Sequence, residues 1–125
     1  MHERFTFRVW HKEKKHMYEN VAIGVGESKI GYKLSGKKRY MWEDTTRIEV
    51  MQCTGYKDSN GKLIFDGDIV KIGKRGNQLY TVRWDDYRFL FAKKGNKRLQ
   101  DKFSQWKNVG HVEIVGNIFE DPELV

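Results

Sequence analysis

The chain has 125 residues, the size of one domain with one main core, and at this length folding buries roughly two thirds of the surface that the unfolded chain exposes. Seven Phe, six Tyr and four Trp supply large apolar faces that a disordered chain lacks, and a single cysteine, Cys53, excludes an intrachain disulfide. Lys and Arg total 24 against 17 acidic residues, a net charge of +7, which favours polyanions as partners without specifying one.

The first twenty residues, MHERFTFRVWHKEKKHMYEN, are charged throughout and hold no apolar run of the length that a signal peptide or a membrane helix needs. A soluble, cytoplasmic protein with no membrane partner is therefore expected. From Arg4 to Trp10 the residues alternate, with Phe5, Phe7 and Val9 on one side, which predicts a strand with one buried face. His11 to His16 reads as a charged turn, and Met17 to Ile23 as a second strand region. Ile30, Tyr32 and Leu34 alternate, break at Ser35 and Gly36, and resume at Arg39 to Trp42, the pattern of a hairpin.

Arg47 to Gln52 predicts a further strand, and Thr54 to Lys62 is dense in turn formers, including the pair Asn60 and Gly61. Leu63 to Phe65 and Ile69 to Ile72 read as short strands separated by Asp66, Gly67 and Asp68. Gly61 and Gly67 each follow Asn or Asp between apolar runs, so both are expected at positive φ. Gln78 to Trp84 and Tyr87 to Ala92 flank Asp85 and Asp86 as a hairpin. Leu99, Phe103 and Trp106 lie on one helical face, so a short helix or an irregular arm is expected near residues 98–106. His111 to Phe119 predicts a last strand, followed by an acidic tail with the only proline, Pro122.

Two blocks go beyond general β punctuation: VMQCTGYKDSNGKLIFDGDIVK at residues 50–71 and VEIVGNIFEDPELV at residues 112–125. With RFTFRVWHKEKKHMY at residues 4–18 they resemble the YopX family, small proteins found mainly in phages and prophages. The resemblance implies several coiled β-sheets including an SH3-like barrel, in a family whose activity is not established. It suggests a single domain over residues 1–125, with N-terminal strands over about 1–50 and the barrel over about 51–119. The Asp66, Gly67, Asp68 turn followed by Ile69, Val70 and Ile72 fits the opening of such a barrel, where aspartates satisfy free backbone N–H groups.

Candidate chemistry is sparse. Asp58, Asn60 and Gly61 superficially match the start of a calcium loop, but Lys62 and Ile69 stand where oxygen ligands are needed, so a structural turn is the better reading. Asp66 and Asp68 are likewise explained by a turn. Asp85 and Asp86 are adjacent and point to opposite faces of an extended chain. Four scattered histidines and one cysteine do not give a zinc spacing, and no Walker loop or GxSxG is present. No enzyme, metal or cofactor is expected.

Basic residues cluster at Lys12, Lys14 and Lys15, at Lys37, Lys38 and Arg39, at Lys71, Lys74 and Arg75, and at Lys93, Lys94, Lys97 and Arg98. The expected function is a non-catalytic module that binds a macromolecular partner. The alternative is a nucleic-acid-binding protein, for DNA or RNA, whose barrel loops present Lys71, Lys74, Arg75, Lys93, Lys94, Lys97 and Arg98 to phosphates, with Trp84 or Tyr87 stacking on bases. Homo-oligomerisation is expected through β edges or the C-terminal block, with the acidic Glu120, Asp121 and Glu123 docking on a basic neighbour.

Overall fold

The computed structural model describes residues 6–27, 29–34, 36–73, 79–85, 88–93, 99–100 and 111–124. The chain divides into two compact units, Met1–Cys53 and Thr54–Val125, and the boundary falls inside one strand. In chain order the strands are β1 (Phe7–His11), β2 (His16–Val25), β3 (Lys29–Lys33), β4 (Met41–Asp44), β5 (Ile48–Lys57), β6 (Leu63–Phe65), β7 (Asp68–Ile72), β8 (Leu79–Asp85), β9 (Arg88–Lys93), β10 (Leu99–Gln100) and β11 (Val112–Asn117). The fold is mainly β, and its strand pairings are antiparallel.

In the first unit the strands lie in the order β4-β3-β2-β1-β5. The charged run after β1 does make a turn: His11 pairs with His16, and Lys15 takes φ 50. Asn20 at φ 54 is the extra residue of a bulge, since Phe7 pairs with Val21 and Arg8 with Glu19. Asn tolerates that left-handed backbone better than most side chains. One face of the sheet packs Val9, Val21, Tyr32 and Ile48 as its core, with Ile30, Leu34 and Met41 among the half-buried residues around it. The alternation at Ile30, Tyr32 and Leu34 thus points inward as its period of two requires.

β1 departs from its sequence pattern. A single buried face is expected, yet Arg8 and Trp10 are buried as well as Val9 and His11. β1 is paired on both sides, by β2 and by β5, and such an inner strand lies away from the solvent-exposed edges of its sheet.

In the second unit β6 neighbours β5, and a five-stranded sheet runs in the order β10-β9-β8-β7-β11. Ile64, Val70, Val82 and Val112 form its core, flanked by Ile72, Tyr80 and Ile114. The last strand returns beside β7, but no ladder among the described residues joins β10 to β11, so the sheet is open where the resemblance implies a closed SH3-like barrel. The helix expected near 98–106 is corrected at its start: Leu99 and Gln100 are strand, paired with Ala92 and Phe91, and residues 101–106 lie outside the described residues. Backbone pairing with β9 decides there over the 3.6-residue spacing of Leu99 with Phe103 and Trp106. The acidic tail closes in a 3-10 turn, Pro122–Leu124, with proline at the first position, where its missing N–H costs nothing.

Candidate functional site

The residues of the most distinctive sequence block serve the backbone. Asp58 Oδ1 accepts from the N–H groups of Asn60 and Lys62 at 2.9 Å each, and its Oδ2 accepts from Ile114 at 3.1 Å. Ser59 extends the clamp, because its Oγ accepts from Val112 N–H while its own N–H donates to the Val112 carbonyl. Desolvation pushes the Asp58 carboxyl pKa up, but the three N–H donors and the nearby Lys62 outweigh it and hold the value below the ordinary aspartate one. Asn60 and Gly61 form the exposed tip, with Gly61 at φ 84.

The next turn is built the same way. Gly67 sits at φ 90, buried Asp68 accepts from Phe65 N–H at 2.8 Å, and Asp66 Oδ1 accepts from Trp84 N–H at 3.1 Å with Arg83 Nε 3.6 Å away. At the C-terminal block, Asn117 Oδ1 accepts from Phe119 and Glu120, while Asp121 Oδ2 accepts from Asn117 N–H. Asp121 also lies across Gly116, where an added Cβ would come within 2.5 Å of its carboxylate. The aspartates of these blocks are therefore caps, and among the described residues no three His, Cys, Asp or Glu side chains gather as a metal set.

Of the basic surface expected on the second unit, only Lys71 and the Lys93 backbone fall among the described residues. Lys71 lies half-buried in β7, paired with Glu113 and Leu79, and the Lys93 backbone pairs with Tyr80 in β9. Lys74, Arg75, Lys94, Lys97 and Arg98 lie outside the described residues, as do Tyr87 and Asp86. Trp84 is 43% exposed. Cys53 is buried in β5.

A different basic and aromatic surface is present on the first unit. Register sets it: Gly24 pairs with Gly31, Gly31 pairs with Trp42, and Lys29 pairs with Asp44, so these residues share the face opposite the core. The Trp42 ring lies on the backbone of this glycine row; a Cβ at Gly31 would meet it at 2.9 Å, and one at Gly24 or Gly26 at 3.4 Å. The residue as a whole is 48% exposed. Tyr40, 38% exposed, stands next to it with ring centroids 5.8 Å apart and planes tilted by 36°. Lys33 Nζ is 5.5 Å from the Tyr40 centroid, within cation–π reach.

Charge is distributed unevenly along this hairpin. At one end Lys29 faces Asp44, whose carboxyl pKa is lowered first by the Thr46 N–H, then by the Thr46 hydroxyl, Arg47 and Lys29. At the other end stand Lys33, Lys37, Lys38 and Arg39, and no acidic residue occurs anywhere from Lys29 to Arg39. Lys37, Lys38 and Arg39 border a pocket of about 330 Å³ together with Leu34 and Met41. Gly36 at φ 80 turns the chain there. The sequence marks the Lys37, Lys38, Arg39 cluster as one of four, but the glycine row beneath the indole becomes visible only once the strands are in register.

Two polar groups inside this unit are also notable. His11 is buried, its Nδ1 accepting from Lys14 N–H at 3.2 Å and its Nε2 lying 3.3 Å from Glu43 Oε1. The Tyr32 hydroxyl is buried with no hydrogen-bond partner among the described residues, and desolvation, with Tyr18 and Glu43 nearby, raises its pKa.

Among the described residues, antiparallel sheets that do not close, braced by side-chain caps, define a mainly β class of fold. The model of the YopX protein family matches residues 6–125, and the chain belongs to that family. The fold is similar to the crystal structure of protein EF1440 from Enterococcus faecalis, with 25% identity and a TM-score of 0.62 over 95% of this chain and 96% of that one. It is also similar to protein yopX from Bacillus subtilis, with 22% identity and a TM-score of 0.67 over 98% of each chain. No curated protein matches the chain. No helix among the described residues is long and apolar enough to cross a membrane.

Proposed function

We propose that the protein is a non-catalytic module that binds a polyanionic macromolecule through the outer face and turn of the β2-β3-β4 hairpins. The observation that carries this reading is the pairing of an exposed Trp42 and Tyr40 platform, floored by glycines, with four cations and no acid at the turn end. Two adjoining exposed rings beside cations that make no ion pair among the described residues suit a polyanion that also carries flat apolar faces. The phage and prophage setting of the resemblance supports action in the cytoplasm of a bacterial host.

Retention on heparin tests the reading. Replacing Lys33, Lys37, Lys38 and Arg39 with Ser should lower the eluting salt concentration far more than replacing Lys12, Lys14, Lys15 and Arg47, which removes the same charge from elsewhere in the unit. Equal shifts for the two sets would show that only net charge matters and would overturn it.

A further inference from the structure

Resting on that reading, we infer that the occupant of the hairpin face is a single-stranded nucleic acid, with bases stacking on Trp42 and Tyr40 and the backbone phosphates following Lys33, Lys37, Lys38 and Arg39. The chemistry selects this class among polyanions. An acidic protein segment would use the cations and leave the rings uncovered, and a sulfated polysaccharide offers the rings only the C–H faces of its sugars, whereas each base of a nucleic acid brings a π-face of its own. A duplex hides the flat faces of its bases inside the stack, whereas a single strand exposes them, and base stacking on aromatic side chains tolerates any sequence.

The geometry agrees with that division of labour. Trp42 is held by one surface on the backbone of Gly24, Gly26 and Gly31, so the ring is pre-positioned while the residue stays 48% exposed. Tyr40 stands beside it at 5.8 Å, near enough for a strand to continue from one ring to the next. Lys33 lies against the Tyr40 ring, and the turn cations follow in sequence, while the Asp44 end, which would repel phosphate, is occupied by the Lys29 and Thr46 partners of that acid. The strand is therefore expected to run from Trp42 past Tyr40 towards the turn.

Fluorescence anisotropy of a labelled single-stranded oligonucleotide and of a duplex of equal length tests this. The single strand should bind more tightly than the duplex, and the double variant Tyr40→Ser, Trp42→Ser, which removes two stacking rings, should weaken it by about 30-fold or more. Trp42→Phe, which keeps a ring on the glycine row, should retain most of the affinity and guards against loss of fold as the explanation. With about four phosphates neutralised, the slope of log affinity against log salt should be about −3 for the single strand, and the four-cation Ser variant should remove most of it. A duplex preference, or full single-strand affinity in the folded double Ser variant, would overturn the inference while leaving the polyanion reading intact if heparin retention still depends on the turn cations. Absence of binding to the single strand, to the duplex and to heparin would overturn both.

Discussion

The two units use their polar residues in opposite ways. In the second, Asp58, Ser59, Asp66, Asp68, Asn117 and Asp121 direct their oxygens at backbone N–H groups, so the residues that make the sequence distinctive are occupied in holding turns to strands. On the outer hairpin face of the first, the side chains from Lys29 to Trp42 include three cations at a turn and two aromatic rings open to solvent. A specific motif is thus evidence of a demanding backbone, and the surface proposed for recognition lies in sequence of ordinary appearance.

The largest effect that this contrast predicts is at Asp58. Asp58→Ala leaves the N–H groups of Asn60, Lys62 and Ile114 without their acceptor and should cost about 3 kcal/mol or more, seen as a lower midpoint in urea. Because the folded-state pKa of Asp58 is depressed, its contribution is present above the unfolded value of about 3.9 and fades as pH falls through the lower folded value. The stability gap between the protein and Asp58→Asn should therefore be widest at neutral pH and narrow below about pH 4. A gap that grew on acidification would show the sign to be wrong.

A pair of glycines sharpens the comparison at intermediate size. Gly116→Ala forces a methyl group towards the Asp121 carboxylate that caps Asn117, and should cost about 2 kcal/mol. Gly36→Ala meets no neighbouring atom and bears only the strain of its φ of +80, about 1 kcal/mol. Thermal unfolding of the two variants checks the order. A larger loss at Gly36 would mean that the hairpin turn, not the C-terminal clamp, is the more constrained.

The smallest effect is expected inside the first unit. Tyr32→Phe removes a buried hydroxyl that has no hydrogen-bond partner among the described residues, so stability should be unchanged or rise by up to about 1 kcal/mol. A loss above about 1 kcal/mol in the urea midpoint would reveal a partner for that oxygen.

Much of this fold is legible in the chain because hairpins declare themselves locally. The breaks at Gly36 and at Asp66 to Asp68, and the alternation of Ile30, Tyr32 and Leu34, all correspond to observed turns and strands. What fails locally is what depends on neighbours. Thr54 to Lys57 reads as turn formers, yet β5 continues through Lys57 with Gly55 at φ 86 inside it. Leu99 reads as helical, yet β9 pairs it as a strand. The second burial of β1 and the meeting of Gly24, Gly31 and Trp42 likewise require register across strands, which no single segment contains. The basic residues are visible as clusters, but nothing in their spacing shows the Tyr40 and Trp42 rings that stand near Lys33, Lys37, Lys38 and Arg39 among the described residues.

Residue-resolved NMR during titration with a single-stranded oligonucleotide tests the central claim most directly. Amide shifts should concentrate at Gly24, Gly31, Lys33, Lys37 to Arg39, Tyr40 and Trp42, with the Trp42 indole N–H among the largest, while Asp58 to Asp68 and Asn117 to Asp121 stay near their starting positions. Shifts centred on the capped turns of the second unit, with the hairpin face silent, would contradict the account.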